Sequence, residues 1–263
     1  MNSIKDKRLF LLDMDGTLYL GDRLIEGARE FLNWVNQTGR KYLFITNNSS
    51  KGVIDYVRKM ERLGLPAKQE DFVTSVQLCA RFLKENYSGR KIYVLGTKSF
   101  KSELMANGML VTDNLDEVGC LVMGFDTELT FSKLEDACRL LLRGVDYIAT
   151  NPDLVCPTEF GSVPDCGSVA QMLYNATGRR PRFLGKPEPD ILYMALEKSG
   201  FEPSEALVIG DRLYTDIASG VRAGIDTALV LSGESALEDV EKSESMPTWI
   251  FKSIKECHRA IIG

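Results

Sequence analysis

The 263-residue chain has a single histidine, His258. Any Ser-His or Cys-His hydrolytic mechanism would have to rest on it, so that chemistry is set aside. A zinc site is set aside for the same reason. The six cysteines (Cys79, Cys120, Cys138, Cys156, Cys166 and Cys257) form no C-x-x-C pair. Free thiols are expected, Cys166 among them, since no basic neighbour is evident to lower its pKa. No apolar run approaches the roughly 20 residues that span a bilayer. Met1 to Arg8 is polar, and the apolar run after it is too short for a signal-peptide core, so cytoplasm is the expected location. Positive charge is not in excess either. With 32 Lys and Arg against 37 Asp and Glu, the net charge is -5, which argues against nucleic acid as the main partner.

What is present is a buried strand that ends in acids. Leu9-Phe10-Leu11-Leu12 runs straight into Asp13, and Asp15, Gly16 and Thr17 follow. A continuous apolar run of this length reads as a strand covered on both faces in a parallel sheet. Ligands of open α/β sheets bind at the carboxyl ends of the strands, where these acids stand. Gly16 lets the chain leave the strand at an angle most residues resist.

Runs of the same kind recur. Lys41 to Ile45 ends in Thr46-Asn47-Asn48-Ser49-Ser50, and Ala206 to Ile209 ends in Gly210-Asp211. Arg182 to Leu184 ends in Gly185-Lys186-Pro187, and Ala228 to Leu231 in Ser232-Gly233. Helical spacing predicts helices over 28–35, 53–60, 191–198 and about 215–223 between them, and strand–helix alternation indicates right-handed βαβ units. Ser75 is read as a helix cap. A second α/β unit then follows, with short strands at 92–95, 120–123 and 147–149 and a helix from near Ser168 to before Gly178. The expected division is a core of 1–75 and 180–263 with 76–179 inserted. Glu234 to Glu244 is read as a solvated loop and helix face.

Four strand ends sharing one sheet edge would converge on one crevice. Asp13, Asp15, Asp211 and Asp216 would repel there unless offset. Such oxygens suit Mg²⁺, which takes one or two carboxylates and accepts phosphate oxygens. Lys186 adds positive charge and Thr46 a hydroxyl, a combination suited to a phosphate monoester. Asp13, first off the strand, is the candidate nucleophile, which would form an aspartyl-phosphate. Asp15 is placed to protonate the leaving oxygen and then to activate water. This route needs no histidine.

Asp13-Met14-Asp15-Gly16-Thr17, Thr46, Lys186 and Gly210-Asp211 through Asp216 resemble the four motifs of the haloacid-dehalogenase-like (HAD) hydrolases. Thr46-Asn47-Asn48-Ser49, Gly185-Lys186-Pro187 and Gly210-Asp211-Arg212-Leu213 are similar to the NagD-like, or p-nitrophenylphosphatase, branch. The resemblance implies an α/β fold with a Rossmann-like core and a large α/β cap inserted between the second and third motifs. It also implies Mg²⁺ and phosphatase activity on small phosphate esters. By it, Asp13 is the nucleophile, Asp15 the acid/base, and Thr46 and Lys186 stabilise phosphate and intermediate. Asp13, Asp15 (through its backbone carbonyl) and Asp211 hold the metal, and Asp216 either joins them or stands behind them. Gly16, Thr46, Asn47, Asn48 and Lys186, with Asp165 from the insert, are the expected substrate-binding residues. The segment from Asn151-Pro152-Asp153 through Ser168 is expected to carry specificity. A phosphotransferase or phosphomutase on the same core, and a non-catalytic ligand-binding regulator, are the alternatives. The expected partner is a small phosphorylated metabolite, without nucleic acid or membrane, and homo-oligomers are allowed.

Overall fold

The computed structural model describes residues 3–158 and 160–263. The chain forms two compact units, one of 1–46, 53–73 and 186–263 and one of 47–52 and 74–185.

The first unit is built on a six-stranded sheet. Its spatial order is Trp249–Phe251, Asp226–Val230, Ala206–Gly210, Leu9–Leu12, Lys41–Thr46 and Phe72–Thr74. Leu9–Leu12 lies at the centre, parallel to Ala206–Gly210 on one side (Leu9 opposite Ala206) and to Lys41–Thr46 on the other (Leu9 opposite Lys41). All four of its side chains are fully buried. At about 1.5–3 kcal/mol for each such side chain, this strand is a rigid base for the residues that follow it. Helix Ala28–Gln37 turns Ala28, Phe31, Leu32 and Val35 inward, as its spacing predicts. They join Phe10, Leu12, Phe44, Leu207 and Ile209 in one core.

Successive strands step outward from Leu9–Leu12 in one direction, through Lys41–Thr46. After the return of the chain they step outward in the other, from Ala206–Gly210. The order therefore reverses between Leu9–Leu12 and Ala206–Gly210. In a doubly wound sheet this reversal opens the crevice where ligands bind.

The second unit has a five-stranded sheet in the order Arg182–Phe183, Asp146–Ala149, Val118–Met123, Lys91–Leu95 and Leu110–Val111. Leu95, Leu121, Met123, Leu140 and Leu173 are in its core. Arg182–Phe183 pairs in parallel with Asp146–Ala149, so the expected boundary at 180 moves to 185. The short apolar run reads as a resumption of the core, and its pairing partner decides otherwise.

Other expectations shift locally. The helix after Phe72–Thr74 is capped by Thr74, one residue before the expected Ser75. The Thr74 Oγ1 accepts from Gln77 N while the Gln77 side chain accepts from Thr74 N, the reciprocal pattern that T-x-x-Q encodes. The helix expected from Ser168 spans Cys166–Thr177 and is capped by Asp165. The helix expected from Thr215 is a π-helix, Leu213–Ile217, running into Ala218–Ala223. Several elements were not foreseen. Val155–Thr158 and Gly161–Pro164 form a hairpin in the segment read as loop. Ile254–Ile262 is a helix capped by Ser253 that buries Ile254, Cys257 and Ile261.

Candidate active site

Asp13 and Asp211 each follow one of the two strands that flank the reversal in strand order. The Asp13 N–H continues the ladder by donating to Ile209 O (2.9 Å). Lys186 Nζ donates to Asp13 Oδ1 at 2.7 Å and to Asp216 Oδ1 at 2.5 Å. It also lies 3.4 Å from Ile45 O, next to Thr46, the buried residue that closes its strand. One oxygen each from Asp13, Asp211 and Asp216 lies within 4.8 Å of the others. Four residues singled out from the sequence are thus brought together, and one buried ammonium stands against three carboxylates. Asp15, half-buried, contributes no carboxylate oxygen to the group.

The turns around these acids are shaped to admit them. Gly16 has φ +85°, and a Cβ there would lie 2.4 Å from Asp211 Oδ2, so no other residue keeps both the turn and the acid. A Cβ on Gly210 would lie 2.4 Å from Asp216 Cγ, and one on Gly233 would lie 2.0 Å from Asp211 Oδ2. The π-helix brings Asp216 back over its own entry, where Asp216 Oδ2 accepts from Arg212 N at 3.1 Å. Such wide turns are frequent at functional sites.

Several supporting residues went unread in the sequence. Glu234 N donates to Asp211 Oδ2 (2.7 Å), and the Glu234 carboxylate takes Tyr214 OH (2.7 Å) and pairs with Arg212 (2.9 Å). Ser232 Oγ donates to Gly16 O at 2.7 Å, and Ser235 N donates to Asp211 O at 3.1 Å. Glu234 is therefore more than the solvated acid expected. The signal for this group was the apolar run ending in Ser232-Gly233, one strand over from Asp211.

The electrostatics point to a cation. Burial pushes Asp13 up to about 7, opposed by Lys186 and reinforced by Asp216. Burial, then Asp13 and Asp216, push Asp211 well above the usual carboxylate range. Burial works against the charge on Lys186, but the attraction of Asp13 and Asp216 outweighs it and raises its pKa. Asp211 Oδ1 is buried without a hydrogen-bond partner. An orphaned buried carboxylate oxygen on a member of a three-acid group is costly unless an ion completes it, and an all-oxygen donor set suits Mg²⁺.

A pH-dependent stability follows. A carboxyl whose folded pKa lies above its unfolded value near 3.8 binds its proton more tightly when folded. Its ionisation opposes folding, and that opposition grows as pH rises from about 4 through 7. Mg²⁺ removes it by binding the ionised form. At a concentration tenfold its Kd at pH 8, Mg²⁺ should raise Tm by about 3–6 °C at that pH, and the same concentration should raise it by clearly less at pH 5. Thermal denaturation with and without Mg²⁺ measures this, and an equal increment at both pH values would exclude Asp13 and Asp211 as the ion's ligands.

The remaining candidates belong to the second unit. Asn47 Nδ2 donates to both oxygens of Asp153 (3.2 and 3.4 Å). Asn48 Oδ1 accepts from Ser50 N and Oγ, at 3.0 and 2.7 Å. Asp165 is buried, and its Oδ1 accepts from Cys166 N. Burial pushes the Cys166 thiol up to about 12, as an inert thiol requires.

The chain matches a family model described as haloacid dehalogenase-like hydrolase over residues 10–109. A second, HAD-hydrolase-like, model matches residues 183–257. It is 38% identical over 253 residues to an acid sugar phosphatase of Staphylococcus aureus, covering 96% of this chain and 97% of that one. Among solved structures it is similar to a 4-nitrophenylphosphatase from Thermotoga maritima. That match has 39% identity and a TM-score of 0.93, over 99% of this chain and 100% of that one. A glycerol phosphate phosphatase from Mycobacterium tuberculosis in complex with magnesium is 32% identical with a TM-score of 0.91, over 98% of this chain and 79% of that one.

Proposed function

The chain belongs to the haloacid dehalogenase-like hydrolases, and from that premise we propose how its residues divide the work of a magnesium-dependent phosphatase. The enzyme hydrolyses small phosphate monoesters. The observation that carries the assignment is Lys186 bonded to Asp13 beside an orphaned oxygen of Asp211.

Asp13 attacks phosphorus and forms an aspartyl-phosphate as the ester oxygen leaves. The Asp15 carboxyl gives that oxygen its proton. As a carboxylate, Asp15 then takes a proton from the water that attacks phosphorus, releasing inorganic phosphate and restoring Asp13. Lys186 holds one Asp13 oxygen, so the carboxylate is oriented before substrate arrives. It also supplies positive charge to the phosphoryl oxygens, together with the Thr46 hydroxyl. Asp13, Asp211 and Asp216 would supply carboxylate oxygens to Mg²⁺, and Asp15 its backbone carbonyl. Bound there, Mg²⁺ would neutralise phosphoryl charge and keep the acids ionised.

We assign ester selection to the second unit, as a cap. No helix among the described residues is long and apolar enough to cross a membrane. The six cysteines are free thiols, a state the cytoplasm maintains, and a cytoplasmic location with optional self-association completes the proposal.

The test is a phosphate-release screen with Mg²⁺ over sugar phosphates, glycerol phosphate, nucleoside monophosphates, phosphoglycolate and p-nitrophenyl phosphate. Release without any added acceptor, ranked by kcat/KM, is the expected result. Phosphate that appears only when a second sugar accepts it would make the protein a phosphotransferase, and none at all would make it a binding protein.

A further inference from the structure

Residues 47–52 lie between a strand and a helix of the first unit, yet they belong to the second. Buried polar groups hold them there. The Asn47 carbonyl accepts from Ser75 Oγ (2.7 Å) and from Asn151 Nδ2 (2.9 Å). Ser49 Oγ bonds Thr150 Oγ1 (2.8 Å), and Asp153 N donates to Asn151 Oδ1 (3.1 Å). The Asn47 amide meets the Asp153 carboxylate. Asn47, Asn151 and Asp153 are 6%, 0% and 5% exposed.

A third segment enters the same knot. Gly185 N donates to Thr150 O at 2.8 Å. A Cβ on Gly185 would lie 2.5 Å from Asn47 Oδ1 and 2.5 Å from Thr150 O. The peptide bond after Gly185 leads to Lys186, and the one before Asn47 leads to Thr46. Both residues assigned to the phosphate are therefore joined directly to this knot by the chain.

The choice of Asp at 153 has a consequence. A carboxylate only accepts hydrogen bonds, so Asn47 must turn its NH₂ toward Asp153, which sends its Oδ1 toward Gly185. A neutral amide at 153 would tolerate either orientation. Burying a carboxylate is costly, and a charged acceptor makes the stronger bond. The cost is hard to explain by packing alone, since a neutral side chain could fill the same space.

We propose that Asp153 is a positioning residue for the phosphate end of the site. By fixing the orientation of the Asn47 amide against Gly185, it fixes the main chain that carries Thr46 and Lys186. The inference rests on the phosphatase reading and adds to it a residue that touches no reacting atom. It also moves Asn151 and Asp153 out of the segment expected to select the leaving group.

The test uses the full-length enzyme in saturating Mg²⁺ with p-nitrophenyl phosphate and glycerol phosphate. Asp153→Ala should lower kcat/KM by about 10- to 100-fold, the scale of a small misplacement of catalytic groups. The factor should be the same for both esters, because the phosphate end is common to them. Inhibition by inorganic phosphate should weaken in parallel. Asp153→Asn should fall between wild type and Asp153→Ala. In an Asn47→Ala background the further cost of Asp153→Ala should be under about twofold, because the residue acts through Asn47.

Losses that differ between the two esters would place Asp153 at the leaving group and overturn the proposal. So would losses that multiply in the double variant, or a lowered Tm with unchanged kcat/KM and unchanged phosphate inhibition. If Asp153→Ala does not fold, Asp153→Asn carries the same comparisons, with a smaller loss that again vanishes beside Asn47→Ala. Wild-type enzyme that releases no phosphate from either ester would defeat the phosphatase reading. Wild-type turnover equalled by Asp153→Ala would defeat only the positioning role.

Discussion

Asp13→Asn should abolish turnover while leaving the protein folded. The expected loss in kcat is about 10⁴-fold or more, the scale on which removing a covalent nucleophile acts. The fold should survive because the substitution keeps the shape of the side chain, and the amide oxygen it introduces can still accept from Lys186. It also removes one of three crowded carboxylates. Asp13 is pushed up to about 7 by burial, so its ionisation works against the fold at neutral pH. Without Mg²⁺ at pH 8 the variant should therefore melt no lower than wild type. With Mg²⁺ its gain in Tm should shrink, since an amide oxygen is a weaker ligand than a carboxylate. Steady-state phosphate release and thermal denaturation measure the two effects. Near-normal release would remove Asp13 as nucleophile. A collapse in Tm would show instead that the site needs its charge to fold.

The parts of the site that were legible stand at the ends of buried strands. Leu9–Leu12 and Ala206–Gly210 are continuous apolar runs because parallel strands are covered on both faces, and the acid after each is the first residue able to meet solvent or ligand. Asp13, Thr46 and Asp211 could be read this way, and the sheet order then put Asp13 and Asp211 on either side of the reversal. Lys186 was legible only as a cation near a strand end. Its strand, Arg182–Phe183, pairs in the second unit, and a two-residue strand carries too little pattern to reveal its partner.

What escaped is what depends on long-range packing or on irregular backbone. The π-helix that carries Asp216 has the same apolar spacing as an ordinary helix start. Glu234 reads as one more acid in a solvated run, whereas its N–H donates to Asp211 Oδ2. Gly210 and Gly233 read as turn residues, whereas they are places where a carboxylate lies too close for any Cβ. Asp153 reads as part of a specificity loop because its segment is rich in Pro, Gly and small polar residues and precedes a helix. Its partner Asn47 is 106 residues away. The helix Ile254–Ile262 was the avoidable omission, since Ser253 followed by Ile254, Cys257 and Ile261 carries both cap and spacing.

Asp15→Asn should separate the two chemical steps, and the separation should depend on the leaving group. Asp15 is half-buried, beside a Gly16 whose N–H is tied to Tyr19 O at 2.7 Å. Its carboxylate is outside the oxygen group formed by Asp13, Asp211 and Asp216, which suits a group that must change protonation during the reaction. A nitrophenolate departs without a proton, so the variant should still form the aspartyl-phosphate from p-nitrophenyl phosphate. The water that follows has no base, and the second step should slow by about 10²- to 10⁴-fold. Stopped-flow mixing should therefore show a burst of nitrophenol approaching one per active site, then slow turnover, with phospho-enzyme recoverable by acid quench. Glycerol phosphate releases an alkoxide that needs the proton, so the same variant should give no burst and little phospho-enzyme. Asp13→Asn should give neither with either ester. A missing burst from p-nitrophenyl phosphate, in a variant that keeps its Tm and its response to Mg²⁺, would show that Asp15 is needed for more than proton transfer. A burst from both esters alike would move the acid to another residue.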